Sequence, residues 1–221
     1  MNSSTQKSIL IGTIVLMVLL VVGNFIFTHI EPTSSYSLNT NNQPTIGNLK
    51  AATEVVVFEE PKCSACRDYH NTVFPKIKEE FIDTDQIKYS AIPVSFIQGS
   101  MPAAESLLCI YYQDEKKPNA SDFFTFLNYL YLHQPPENSD WATNENLAAM
   151  IKKADPSINL SKIEKCMESH VYFTKIKQNT AEGLRVTKGN LTTPALFVNG
   201  VRVEATSVEA VINAIKKAIK S

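Results

Sequence analysis

A pair of cysteines separated by two residues constrains this chain more than any other feature. Cys63 and Cys66 follow an apolar, β-branched run at residues 55–58 and precede residues 67–81, where apolar side chains recur at helical spacing. The pattern predicts a strand that delivers both cysteines to the N-terminus of a helix. Unpaired N–H groups and the helix dipole stabilise an anion there, so we expect Cys63 to be a nucleophilic thiolate. Cys66, one turn inside the helix, is then the resolving thiol.

Two other uses of this cysteine pair remain open from the residues alone. The same spacing occurs in metal sites, and His70 shares a helix face with Cys63 and Cys66. A closed zinc site needs four ligands, however, and no second pair of the same kind supplies the fourth. An inert disulfide is the other alternative, although a strand-to-helix junction is an exposed place for one. We therefore favour thiol–disulfide exchange at this pair, with no metal and no cofactor.

The N-terminal segment decides in which compartment these cysteines work. Residues 9–27 form a run of 19 without a charge, preceded by Lys7. A helix of this length crosses a ~30 Å hydrocarbon core and is long for a signal peptide. We predict a signal-anchor in residues 1–30, with a cleaved signal peptide as the alternative, followed by a flexible tether in residues 31–44. Either alternative places the remaining chain in the periplasm or another extracytoplasmic space, where disulfides persist.

Residues 45–221 carry the signals of one α/β domain with a helical insertion. Strands are expected at residues 54–59 and 87–94, and the long crossover between them implies parallel pairing. From about residue 100 to 188 the apolar periodicity is helical throughout, which predicts an inserted all-α lobe. A hairpin at residues 195–203 and a final helix then complete a mixed sheet that is covered by helices.

Three finer features belong to the helices of this domain. Gly183 is expected to end the last inserted helix, and Thr206 with Glu209 to cap the final helix of the chain. Cys109 and Cys166 both lie in inserted helices. We expect them to form a structural disulfide, and two buried free thiols or a second redox pair are the alternatives.

The order of these elements and two short motifs resemble the DsbA-like thioredoxin-fold oxidoreductases. The resemblance covers about residues 45–221, and its specific parts are the Cys63–Cys66 motif and the sequence Thr192-Thr193-Pro194. It implies a thioredoxin fold with a helical lobe inserted in it. It further implies a cis peptide bond before Pro194, close to the two cysteines. In the family, the residue that matches Thr193 binds an extended substrate segment through its backbone.

This sequence departs from the family pattern at two places. Ser64 and Ala65 stand between the cysteines, where strongly oxidising members often carry a histidine that helps to hold the thiolate. The resemblance therefore implies a milder oxidant. Many thioredoxin-fold members also carry a buried acid at the position of Val57, which accepts the proton of the second cysteine. Glu59 and Glu60 are nearby in sequence, but their direction is not fixed by the pattern, so the proton acceptor stays open.

We expect a thiol:disulfide oxidoreductase that donates the Cys63–Cys66 disulfide to exported proteins as they fold. Its partners would be unfolded or reduced exported proteins and a membrane partner that reoxidises it, and the protein would act as a monomer. The net charge of −1 argues against nucleic acid as a partner. A disulfide reductase or isomerase is an alternative with the same chemistry, and a metal carrier is an alternative of a different class.

Overall fold

The apolar run that precedes the two cysteines forms the centre of a mixed sheet. A computed structural model describes Met17 and residues 35–221. Within residues 35–221, the strands are β1 (Thr45–Gly47), β2 (Glu54–Glu59), β3 (Lys88–Pro93), β4 (Ala195–Val198) and β5 (Val201–Val203). Their order is β1-β3-β2-β4-β5, in which β2 and β3 are parallel and the other neighbours are antiparallel. The predicted mixed sheet is confirmed.

Strand β2 is covered on both faces because its side chains alternate between two apolar layers. Val55 and Val57 pack into the larger core, whereas Val56 and Phe58 pack into a smaller layer on the other face. All four side chains are buried. This explains why the strand is a continuous apolar run rather than an alternating one.

The helices surround this sheet and fill the stretch between β3 and β4. They are α1 (Ser64–Thr72), α2 (Phe74–Ile77), α3 (Met101–Tyr111), α4 (Ala120–Leu132), α5 (Asn144–Ala154), α6 (Leu160–Glu168), α7 (Phe173–Val186) and α8 (Val208–Ile219). Helices α3 to α7 are the inserted lobe that the sequence predicts. The single helix expected over residues 67–81 is instead interrupted between α1 and α2, where Pro75 lacks an N–H group. After α2 the chain continues as a π-helical segment, Lys78–Ile82.

Two predicted helix ends are wrong, the first because of a tertiary contact and the second because of a neighbouring residue. Gly183 lies inside α7. The position requires glycine because a Cβ atom there would come within 2.9 Å of Leu191 and 3.3 Å of Phe58. Its role is close packing rather than termination. Helix α8 is capped by Ser207, whose hydroxyl accepts a hydrogen bond from the Ala210 N–H at 3.2 Å. The capping residue is therefore one position later than expected.

Residues 35–44, expected to belong to a flexible tether, lie against the sheet. The Tyr36 N–H donates to the Gly200 carbonyl at 2.9 Å, and the buried Gln43 donates to the Asn179 side chain at 2.7 Å. A side chain at Gly200, where φ is +77°, would collide with the Tyr36 carbonyl. Most of these contacts involve backbone or amide groups, so the polar composition of the stretch does not reveal them.

The predicted membrane anchor cannot be compared with the structure. Residues 1–30, and residues 31–34 of the predicted tether, lie outside the described residues except for Met17. Among the residues that are described, no helix is both long enough and apolar enough to cross a membrane.

A disulfide joins Cys109 on α3 to Cys166 on α6, with a Cα–Cα distance of 5.9 Å. Replacing both cysteines by alanine should lower the free energy of unfolding by about 4 kcal/mol, because the bond links residues 57 positions apart. Denaturant unfolding of both proteins measures this difference. Alkylation of Cys63 should proceed at the wild-type rate in the variant. A folded variant with an unreactive Cys63 would contradict a purely structural role.

Candidate active site

Cys63 and Cys66 lie at the start of α1, next to the loop that precedes β4. Cys63 is the N-cap residue of α1, and both cysteines are free thiols. The peptide bond between Thr193 and Pro194 is cis, and the Cys63 sulfur lies 3.4 Å from the Thr193 carbonyl oxygen. The structure thus brings together the four residues that the sequence analysis assigned to the reaction.

The two sulfurs of this pair differ sharply in acidity. A hydrogen bond from the Cys66 thiol, aided by the Thr193 side chain and by the backbone N–H groups of Cys66 and Ala65, lowers the pKa of Cys63 to about 6. Burial raises the pKa of Cys66 well above its usual value, and the hydrogen bond to Cys63 adds to this effect. At neutral pH the pair therefore holds one thiolate and one protonated thiol, which is the arrangement that thiol–disulfide exchange requires.

A buried carboxyl group, that of Glu59, lies on the same face of β2 as Val57. Burial raises the pKa of Glu59 to about 8, so the group is largely protonated at pH 7. The Tyr89 hydroxyl lies 3.4 Å from one oxygen of the Glu59 carboxyl group. When Glu59 is ionised, its negative charge contributes to the raised pKa of Cys66. Because side chains two apart on a strand share a face, Glu59 occupies the side on which the family places its acid.

His70 belongs to the same buried layer as Glu59. Its Nδ1 atom is 3.8 Å from Glu59, and its ring stacks on Phe74 with the centroids 4.6 Å apart. Burial lowers the pKa of His70 to about 3, so the ring is neutral. Within the described part of the chain, no group of three or more histidine, cysteine or acidic side chains is placed to hold a metal ion.

Glu60 is fully buried in the turn that leads into α1. Its carboxylate accepts a hydrogen bond from the Lys62 N–H at 2.8 Å, and its own N–H points at the Cys66 sulfur at 3.5 Å. Burial raises the pKa of Glu60 to about 7. This residue therefore shapes the turn before Cys63 and provides a backbone donor to Cys66.

The loop between α4 and α5 is hydrogen-bonded to the residues at the start of α1. Gln134 donates to the carbonyl oxygens of Pro61 at 2.7 Å and Cys63 at 3.3 Å. Glu137 accepts hydrogen bonds from both the N–H and the hydroxyl of Ser64, at 2.8 and 2.9 Å. The inserted lobe thus contributes directly to the candidate site, which the sequence analysis missed.

Comparisons with known proteins agree with this geometry. The model of a family described as Thioredoxin matches residues 39–217. A probable disulfide bond formation protein D of Bacillus anthracis is 28% identical over 204 residues, which is 89% of this chain and 90% of that protein. The crystal structure of Chlamydia trachomatis DsbA is 33% identical, with a TM-score of 0.73 over 86% of this chain and 96% of that one.

A third comparison supports the fold alone. The structure of oxidised BdbD from Bacillus subtilis is 24% identical and has a TM-score of 0.75, covering 86% of this chain and all of that one. The family match spans most of the described domain, including α1, the inserted lobe and the Pro194 loop. The chain therefore belongs to the thioredoxin family and, within it, is a DsbA-like thiol:disulfide oxidoreductase.

Proposed function

We propose that this chain donates the Cys63–Cys66 disulfide to reduced cysteines of exported proteins during their oxidative folding. One observation carries the proposal, namely that Cys63 caps the start of α1 beside the cis Thr193-Pro194 bond, whereas Cys66, one turn inside the helix, is fully buried. With a pKa of about 6, Cys63 is mostly thiolate at pH 7, whereas an ordinary cysteine is a few per cent thiolate. Stabilising the thiolate stabilises the dithiol form, which makes the disulfide form the better electron acceptor.

The proposed reaction begins with the disulfide form of the protein. A substrate thiolate attacks the Cys63 sulfur, the bond between the two protein sulfurs breaks, and Cys66 leaves and takes up a proton. A second substrate thiolate then attacks the substrate sulfur of the mixed disulfide and displaces Cys63 as a thiolate. The substrate loses two electrons and gains a disulfide, and the protein leaves as a dithiol.

Thr193 and Pro194 are the proposed substrate-binding residues. The Thr193 carbonyl lies 3.4 Å from the Cys63 sulfur, in the loop that leads into β4. An extended substrate segment that pairs with the backbone of Thr193 would bring its cysteine onto Cys63. Backbone pairing of this kind accepts many side chains, which suits a protein that acts on varied exported chains.

Glu59 is the proposed proton donor and acceptor for Cys66. Cys66 is fully buried and cannot exchange its proton directly with water. A carboxyl group with a pKa of about 8 is protonated when Cys66 leaves as a thiolate, and it becomes an effective base when Cys66 must attack. The neutral His70 ring, 3.8 Å from Glu59, carries no charge that would oppose this exchange.

We further propose that the protein works as a monomer outside the cytoplasm, anchored through residues 1–30 and reoxidised by a membrane partner. The uncharged run of residues 9–27 supports the anchor. The disulfide between Cys109 and Cys166 supports an oxidising compartment, because such bonds are rare in the reducing cytosol. The working domain is residues 45–221, and residues 35–44 pack onto it.

The roles of the two cysteines can be separated by trapping. Cys66→Ala should accumulate mixed disulfides between Cys63 and substrates, because no internal thiol remains to release them. Cys63→Ala should accumulate none, since Cys66 is fully buried. Non-reducing electrophoresis after acid quenching measures both variants. Equal trapping by the two would contradict the assignment of Cys63 as the nucleophile.

Glu59→Gln should slow the step in which Cys66 resolves a mixed disulfide by about tenfold or more at pH 7. The reduced protein is mixed with glutathione disulfide, and the disappearance of the Cys63–glutathione adduct is followed by acid quench. The wild-type rate should rise with pH and level off above about pH 8, where Glu59 is ionised. The variant should lack this plateau, because no carboxylate then accepts the proton.

The exposed Glu204→Gln is the matched control for Glu59→Gln and should keep the wild-type rate and pH profile. If Glu59→Gln retains the plateau near pH 8, another group accepts the proton of Cys66.

The reduction potential of the pair should lie between about −270 mV, the value of thioredoxin, and about −120 mV, the value of DsbA. Ala65→His should make it more oxidising by about 30–65 mV, because a charge-assisted hydrogen bond to the thiolate contributes roughly 1.5–3 kcal/mol. Equilibration with glutathione measures both. Ala65→Asn, which is polar but uncharged, is the control and should shift the potential less.

An unchanged potential in Ala65→His would show that the two residues between the cysteines do not set oxidising strength. A wild-type potential near or below −270 mV would instead favour a reductase.

A further inference from the structure

The first turn of α1 is capped by a residue from the inserted lobe. The Glu137 carboxylate accepts the hydrogen bonds of the Ser64 N–H and hydroxyl from a position 73 residues further along the chain. Helix α1 has no acidic residue in its own first turn, and the Cys63 side chain makes no capping hydrogen bond. Glu137 therefore supplies, from a distant segment, a negative charge that the first turn of α1 lacks.

Two anions consequently share the N-terminus of one short helix. The N–H groups of Ala65 and Cys66 stabilise the Cys63 thiolate, whereas the N–H of Ser64 is turned to Glu137. A carboxylate at this position uses one of the free donors of the helix and partly neutralises its positive end. Both effects act against the thiolate on the neighbouring residue.

We propose that Glu137 is a positioning residue that limits the oxidising strength of the Cys63–Cys66 pair by competing with the Cys63 thiolate for the N-terminus of α1. The inference rests on the proposed function, because oxidising strength matters only for a protein that exchanges disulfides. It assigns to the inserted lobe a direct electrostatic effect on the reacting sulfur. It would also add a second cause, besides the absence of a histidine between the cysteines, of the milder oxidising strength that the sequence predicts.

The charged groups around Glu137 keep it ionised in the pH range where Cys63 titrates. The hydrogen bonds from Ser64 lower the pKa of Glu137, and Lys62 and Arg67 lower it further. Lys62 itself is directed to the carbonyl oxygens of Gln98 and Ser139, both at 3.0 Å. Protonation of Glu137 therefore occurs well below the pKa of about 6 of Cys63.

The groups that face Cys63 from the buried side are different and stay in place when Glu137 is changed. They are Cys66 on α1, Glu59 at the end of β2, Glu60 directly after it, and Tyr131 on α4. The two acids repel the thiolate when ionised, and their burial keeps them largely protonated at pH 6. These groups are the same in the wild type and in a Glu137 variant, so a difference in the pKa of Cys63 between the two proteins reports the effect of Glu137.

Glu137→Gln tests the proposal, because glutamine retains an oxygen that accepts both Ser64 hydrogen bonds and removes only the charge. The pKa of Cys63, measured by thiolate absorbance of the reduced protein, should fall. The equilibrium constant with glutathione should move about two- to fivefold towards a stronger oxidant, the range expected for a charge at an exposed helix end. This corresponds to about 10–20 mV. The difference should shrink in 1 M salt.

Glu145→Gln is the matched control, because Glu145 is an exposed acid in the first turn of a different helix, α5. It should leave both the thiolate titration and the potential at the wild-type values. Equal shifts in Glu137→Gln and Glu145→Gln would reduce the effect to net charge and overturn the proposal. So would a wild-type titration in Glu137→Gln.

The thiolate titration is independent of the proposed function, since it uses reduced protein and no substrate. If the wild type fails to oxidise thiols while Glu137→Gln still lowers the pKa of Cys63, the function fails and the electrostatic role stands. If the wild type oxidises thiols and the variant has an unchanged titration, the function stands and the role of Glu137 fails.

Discussion

The structure depends on the contrast between two sulfurs that are one helical turn apart. Backbone N–H groups at the start of α1 stabilise the Cys63 thiolate, whereas Cys66 is fully buried in the core and has no contact with water. Strand β2, which is covered on both faces, determines where α1 begins. The loop that contains Thr193 and Pro194 contacts the Cys63 sulfur. The acid–base chemistry of the site follows from this one difference in exposure to donors and to solvent.

The local parts of this arrangement are predictable from the sequence. β-branched residues define β2 at residues 54–59, and the cysteine spacing defines the start of α1, because both signals lie within a few residues of each other. The direction of Glu59, which stays open in the sequence, follows once β2 is known to extend to residue 59, because side chains two apart on a strand share a face.

Contacts between distant segments could not be predicted in this way. Glu137 and Ser64 are separated by 73 residues, and no pattern in a single sequence pairs an acid with a helix end so far away. Gly183 illustrates the same limit, because its position fits a helix end, yet its lack of a side chain serves the close approach of Leu191 and Phe58. Sequence patterns show which local structures a residue is compatible with, and tertiary packing determines which of them it adopts.

The disulfide between α3 and α6 makes the protein one of the products of the reaction it is proposed to carry out. On the proposed function, a newly exported copy would have four reduced cysteines, and Cys109 and Cys166 would have to be oxidised to give the structure described above. On the same function, mature copies would be able to oxidise immature ones. On the proposed function, the supply of active protein is then autocatalytic, and its rate of maturation rises with the amount already mature.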